Sequence, residues 1–157
     1  MQMTSTLSTR LHYQHKSLLD IIDGLSDEQI RQPLYAGKWS VFETIVHLQT
    51  YQHVFEKRVK QILEESNPVF DSYSAEGDPL FIEGCTKSTR EVMQDLISTR
   101  KDMAARMASL KEEDFGKMGQ HPAFGQMNIL QWLNFFLLHE AHHLFAIFKQ
   151  AAELKKR

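Results

Sequence analysis

"LLHEAHHLFAIFKQ", Leu137–Gln150, places three histidines within five residues of a strongly apolar run. Its leucines, phenylalanines and isoleucine recur three and four positions apart, which is helical spacing. At about 100° per residue, His139 and His143 share one stripe of that helix with Trp132 and Phe136. His142 falls on a different stripe with Gln131 and Lys149, the most polar strip of the helix, and is expected to face water.

Side chains one helical turn apart can give two imidazole nitrogens to one cation at ~2.0–2.1 Å. Burying both rings among Trp132, Phe136 and Ile147 carries a desolvation cost that a metal would offset. Two ligands from one helix make half a site, so a third must come from another helix. The same run also spells H-E-x-x-H, the pattern of zinc proteases, in which Glu140 would be the general base and a further ligand would follow downstream. Fourteen residues follow His143 and their one carboxylate is Glu153. No strand pattern offers an edge for a peptide substrate, so the match reads as coincidence.

Working outward, three more stretches carry helical spacing. The first runs from about Thr6 to Leu25, with Leu7, Leu11, Leu18, Ile22 and Leu25 on its apolar face. Ser26 and Gln29 then open a short helical turn that Pro33 ends. The second long helix starts at Ser40, where S-x-x-E with Glu43 makes a capping box. Val41, Ile45, Leu48, Phe55, Val59 and Ile62 line its inner face. The third spans about Ser88 to Leu110 with Val92, Leu96, Met103, Met107 and Leu110 inward. Asn128 and Gln131 cap the fourth, which reaches Lys149 or beyond. Glu65 to Thr86 carries two prolines and two glycines and reads as a long loop, a length that in a compact bundle points to function. The residues between the third and fourth helices read as loop too. The expected fold is all-α: an up-down four-helix bundle with a long crossover loop between helices 2 and 3, one domain over residues 1–157.

His47, two turns into the second helix and one turn before Tyr51, is the natural third ligand. It lies on the shoulder of the apolar face, and taken alone it reads as a hydrogen-bonded structural histidine. His12, His15, His53 and His121 have no comparable pairing and are expected on the surface or in loops, with His121 a candidate to line a pocket.

Composition narrows the function classes. A net charge of −2 gives no nucleic-acid footprint. No run reaches the ~18 apolar residues of a membrane span and no leader pattern opens the chain, so a cytoplasmic location without membrane partners is expected. The single cysteine, Cys85, rules out an internal disulfide and leaves nitrogen and oxygen as metal donors; in its long loop it reads as a spectator thiol.

"GKWSVFETIVHL" at 37–48 and "FGQMNILQWLNFFLLHEAHHLFAI" at 124–147 together resemble the DinB/YfiT-like superfamily. Members of that group are four-helix bundles with a metal held by one histidine of the second helix and an H-x-x-x-H pair of the last. The resemblance puts the metal ligands at His47, His139 and His143. It implies zinc or nickel, with remaining positions open to water. It also implies either transfer of a low-molecular-weight thiol such as bacillithiol, mycothiol or glutathione to an electrophile, or metal-dependent hydrolysis, or a non-enzymatic stress-associated role. Three neutral imidazoles leave the full charge on the ion and favour an anionic further ligand, so thiol and water chemistry are equally reachable. Glu43 and Tyr51 flank His47 by one turn each and are candidates to hydrogen-bond near the site. Trp39 reads as packing at the helix entrance, and the Glu65–Thr86 loop would shape substrate entry. The fourth helix is apolar around most of its circumference, more than one packing face needs, which leads to the expectation of a homodimer.

Overall fold

A computed structural model describes residues 1–157. The first bundle helix is built in two pieces, α1 (Ser5–Tyr13) and α2 (Ser17–Ile22), joined by a tighter turn at Gln14–Lys16. A short helix, α3 (Asp27–Arg31), leads to α4 (Val41–Glu64), the second bundle helix. After a crossover that contains α5 (Pro79–Gly84) come α6 (Thr89–Ser109), a hairpin of β1 (Met118–His121) and β2 (Gly125–Asn128), and α7 (Ile129–Leu154).

The helix starts follow from local chemistry. Reciprocal capping boxes form at Ser26/Gln29, Ser40/Glu43, Ser88/Glu91 and Asn128/Gln131, each satisfying two backbone N–H groups that an uncapped first turn leaves free. The Ser40 box fixes where α4 begins and therefore the height at which His47 enters the bundle.

The four-helix bundle and its crossover stand as expected, and the crossover sets the sense of the helices. Gln49 bonds Thr99 and Glu56 binds Arg106, so α4 and α6 run parallel. Phe55 packs on Phe136 and His47 on His143, so α7 runs antiparallel to α4. Arg10 reaches Asn134 and Lys155 reaches Ile21, which makes the first helix parallel to α7. The order of directions is up-down-down-up, alternation ending where the crossover begins. Both the first helix and α4 pack against α6 and α7, and occupy opposite corners.

Two apolar clusters fill the interior. One is built around Leu11, Phe55, Met103, Trp132 and Phe136 and the other around Leu18, Ile45, Leu96, Leu144 and Ile147. Between them lies a polar layer. Arg100 and Glu140 form a buried salt bridge there, Arg100 Nε donates to Gln52 Oε1 at 2.8 Å, and Gln14 Nε2 donates to Glu140 Oε1 at 3.0 Å. His15 belongs to this layer, 4% exposed, with its Nδ1 3.2 Å from Arg100 Nη1. This corrects its expected surface position: the tight turn at Gln14–Lys16 rotates the ring inward toward a partner from another helix.

Two segments expected to be loops are ordered. The hairpin pairs Met118 with Asn128 and His121 with Gly125, and Gly125 takes the positive φ that closes its turn. Four-residue strands are too short to display alternation. The crossover is tied to this hairpin, Phe70 N donating to Gln120 O at 3.0 Å and Gln120 N to Pro68 O at 2.8 Å. Asp78 caps α5 through Leu80 N, with Pro79 at its first position.

Candidate metal centre

His47 sits on the second turn of α4, 4% exposed, and faces His139 and His143 on α7, both half-buried. His47 Nε2 lies 3.3 Å from His139 Nε2, and His143 Nε2 lies 3.2 Å from the same atom. One ligand nitrogen from each ring falls within 4.8 Å of the other two. A cation with bonds of ~2.0–2.1 Å and tetrahedral angles holds its nitrogens about 3.3–3.4 Å apart.

The donor set also fits a cation on hydrogen-bonding grounds. A neutral imidazole nitrogen carries one proton or one lone pair. His139 Nε2 touches two other ring nitrogens, so hydrogen bonds alone would either load two donors onto one lone pair or split one N–H between two lone pairs. A cation takes a lone pair from each ring and resolves the conflict. The protons then reside on Nδ1, and Nδ1 of both His47 and His139 is buried without a hydrogen-bond partner. Aromatic faces surround those rings. Tyr51 lies 4.1 Å from the His139 ring, Trp39 lies 5.1 Å from that of His47, and Tyr73 stacks on His47 at 6.1 Å.

Burial is the main reason that His47 and His143 are pulled down to about 4 and His139 to about 3. Their mutual repulsion lowers His139 and His143 further, while Glu76 and Asp78 oppose the shift at His47. All three rings are therefore neutral at pH 7, the form that ligates. Burial also raises both Tyr51 and Tyr73, and for Tyr73 the 2.8 Å hydrogen bond to Asp78 adds to it. Both phenols stay protonated.

Glu140 takes no part in this cluster. Its carboxylate is held by Arg100 and Gln14 on another face of α7, so the H-E-x-x-H spelling does not build a protease site. Glu43 is occupied as the capping partner of Ser40. Cys85 is half-buried outside the cluster, its thiol raised by burial and by Glu43. His12, His53 and His142 are exposed. His121 is half-buried in the hairpin, its Nδ1 accepting from Ala123 N at 3.0 Å and Phe124 N at 3.2 Å.

Two aromatic contributions escape sequence reasoning. Trp39 does more than pack at a helix entrance, since its ring touches those of both His47 and His143. Tyr73 arrives from the crossover, whose lack of periodicity gives no sign of where it docks. A cleft of about 800 Å³ reaches the cluster at His143, bordered by Trp39, Glu76, His142 and Lys149. On the far side of the Tyr73–Asp78 segment lies a second cleft of about 720 Å³.

Residues 10–147 match the family model of the DinB superfamily. The chain belongs to that superfamily. As a DinB-superfamily protein it is 32% identical over 148 residues to the uncharacterized protein YuaE of Bacillus subtilis (strain 168), with 87% of this chain and 89% of YuaE covered. Its fold is that of YfiT from Bacillus subtilis, described as a probable metal-dependent hydrolase with an unusual four-helix bundle topology. The two share 18% identity with a TM-score of 0.77, over 99% of this chain and 90% of YfiT. TT2238, a four-helix bundle protein, is similar at a TM-score of 0.64 and 20% identity, over 90% of this chain and 94% of that one. No helix of this DinB-superfamily chain is long and apolar enough to cross a membrane.

Proposed function

We propose that this protein is a cytoplasmic, metal-dependent enzyme that transfers a low-molecular-weight thiol to an electrophilic small molecule, with His47, His139 and His143 holding zinc or nickel. The observation that carries the metal reading is the meeting of three imidazole nitrogens near tetrahedral spacing with no carboxylate or thiol in the cluster. A divalent cation bound by three neutral side chains supplies Lewis acidity that lowers the pKa of a thiol or water at its open position.

What the chain itself contributes favours the thiol. Neither Glu140 nor Glu43 is free to act as a base, and Glu76, which borders the cleft, lies outside the ligand cluster. A thiol, with a pKa near ~8.5, releases its proton to solvent at neutral pH far more readily than water, near ~15.7. Trp39, Tyr51 and Tyr73 wall the histidines with rings that exclude water, and the cleft at His143 admits the substrate. In the transfer, the thiol proton leaves to water, the thiolate sulfur bonds to the electrophilic carbon, and that carbon's bond to its leaving group breaks, the leaving group departing to solvent with the electron pair.

Metal-dependent hydrolysis is the second reading, favoured by the likeness to YfiT, a probable metal-dependent hydrolase. The test is a panel of thiols, bacillithiol, mycothiol and glutathione, offered with a chromogenic electrophile to zinc- and nickel-loaded protein, beside activated esters and amides. Conjugation lost in His143→Ala supports transfer. Ester or amide cleavage without conjugation selects hydrolysis, and neither with fully loaded protein leaves a non-catalytic metal-binding role.

A homodimer through α7 completes the proposal. Leu138, Phe145 and Phe148 are 55%, 60% and 53% exposed along one side of that helix. Apolar side chains so grouped are more economically buried against a second copy than left in water.

A further inference from the structure

Two arginines are buried in this bundle, and only one has a counter-charge. Arg100 is paired with Glu140. Arg58 is 7% exposed, yet no carboxylate oxygen lies within 4.0 Å of its nitrogens. Its Nη2 donates to the backbone carbonyl of Asp71 at 3.2 Å and its Nη1 makes a long 3.5 Å contact with Tyr51 Oη. The guanidinium is flanked by Trp132 at 5.3 Å and Phe70 at 5.6 Å. Aromatic faces and one carbonyl satisfy part of a buried cation and leave its charge unneutralised. A guanidinium has five N–H donors in a planar fork, and Arg58 uses two.

The remaining donors have a place to act. Arg58 lines the cleft of about 720 Å³ on the far side of the Tyr73–Asp78 segment, with the exposed Lys57 and His53 on its rim. The acids of that cleft do not compensate it. Asp71 offers Arg58 its main-chain oxygen only, and the Asp78 carboxylate is engaged by Tyr73 Oη and Leu80 N. The uncancelled field is felt nearby, since after burial it is the charge of Arg58 that lowers the pKa of His121.

We propose that this cleft binds the carboxylate or phosphate group of a small organic ligand, gripped by the Arg58 fork with Lys57 at the mouth. Two oxygens of a carboxylate or of a tetrahedral phosphate match a guanidinium two-pronged, which a chloride ion cannot do. Tyr51 links Arg58 to the histidine cluster: its hydroxyl meets Arg58 and its ring lies 4.1 Å from that of His139. An occupant of the Arg58 cleft is therefore one tyrosine ring away from the histidine cluster. The site goes beyond the metal reading and stands or falls without it.

The test titrates inorganic phosphate and succinate into metal-free, full-length protein at constant ionic strength, with sodium chloride as reference. Saturable binding of at least one probe above chloride is expected, and the better probe distinguishes a phosphate from a carboxylate site. Arg58→Gln should weaken it by about tenfold or more, the scale of losing a charge-assisted hydrogen bond, while Arg58→Lys retains part. Nitrogen-detected NMR of the wild type localises the site even if the variants fail to fold. The indole signal of Trp132, against Arg58, should move on titration while that of Trp39, in the other cleft, stays. Binding no stronger than chloride, equal binding by a folded Arg58→Gln, or a shift at Trp39 alone overturns the site.

Discussion

Glu140 and Arg100 close a salt bridge inside the bundle, 2% and 1% exposed, while His139, next in sequence to Glu140, turns toward His47. One residue thus serves the polar layer and its neighbour serves the candidate metal centre. Removing one partner of a buried pair strands the other charge, so Glu140→Gln or Arg100→Met should each destabilise the fold by ~3–5 kcal/mol in urea titrations. The double replacement Arg100→Met/Glu140→Leu should recover most of that loss. Folded Glu140→Gln should keep the wild-type metal content, since the carboxylate touches none of the three histidines. A metal loss specific to Glu140→Gln would return Glu140 to the site.

The pH dependence of stability follows from His15. Burial and the adjacent Arg100 lower its pKa from 6.5 to about 3 in the folded protein. Between those values the unfolded chain binds the extra proton, so stability rises with pH across the window. It is complete above pH 6.5 and lost as the pH falls toward 3, and the three clustered histidines, shifted the same way, act in the same direction. Metal-free protein should show a steady melting temperature above pH 7 and a falling one below pH 6.5. A flat profile down to pH 4 would contradict the burial of neutral histidines.

Gly119 in β1 is held against Ile62 and Phe70 so closely that an added Cβ would stand 2.7 Å from Ile62 Cγ1 and 2.9 Å from Phe70 Cε2. Gly119→Ala should therefore cost about 1–3 kcal/mol by overpacking where the hairpin, crossover and α4 meet. Gly125→Ala has open space but a positive φ of 73°. Its strain is purely conformational, and its effect should be confined to the hairpin. Hydrogen exchange at Gln120 and Phe70 distinguishes the two, both amides losing protection in Gly119→Ala.

For the proposed homodimer, wild-type protein should scatter light as a dimer, and Phe145→Ser/Phe148→Ser should leave helicity unchanged and give a monomer. A wild-type monomer at micromolar concentration would remove the α7 interface.

The parts of the structure legible in the sequence are those that depend on near neighbours. Ser40 and Glu43 are three residues apart, and their capping box fixes the start of α4. The His139/His143 pair is an i, i+4 relation, so one helix brings it together. His15 and Arg58 were not legible, because the partners that define them are distant in the chain or absent from it. His15 is buried by an arginine 85 residues away, and Arg58 is enclosed by the Asp71 carbonyl of the crossover and by Trp132 of α7. The hairpin and α5 escaped because four- to six-residue elements carry too few positions for a period to show.

Metal content tests the central claim most directly. Protein prepared without an affinity tag, in zinc or nickel, should carry about one cation per chain by elemental analysis, as one three-histidine site with an open position would hold. His47→Ala, His139→Ala and His143→Ala should each lose it, and His142→Ala, with its ring in water, should not. Equal metal in His143→Ala and wild type would contradict the assignment.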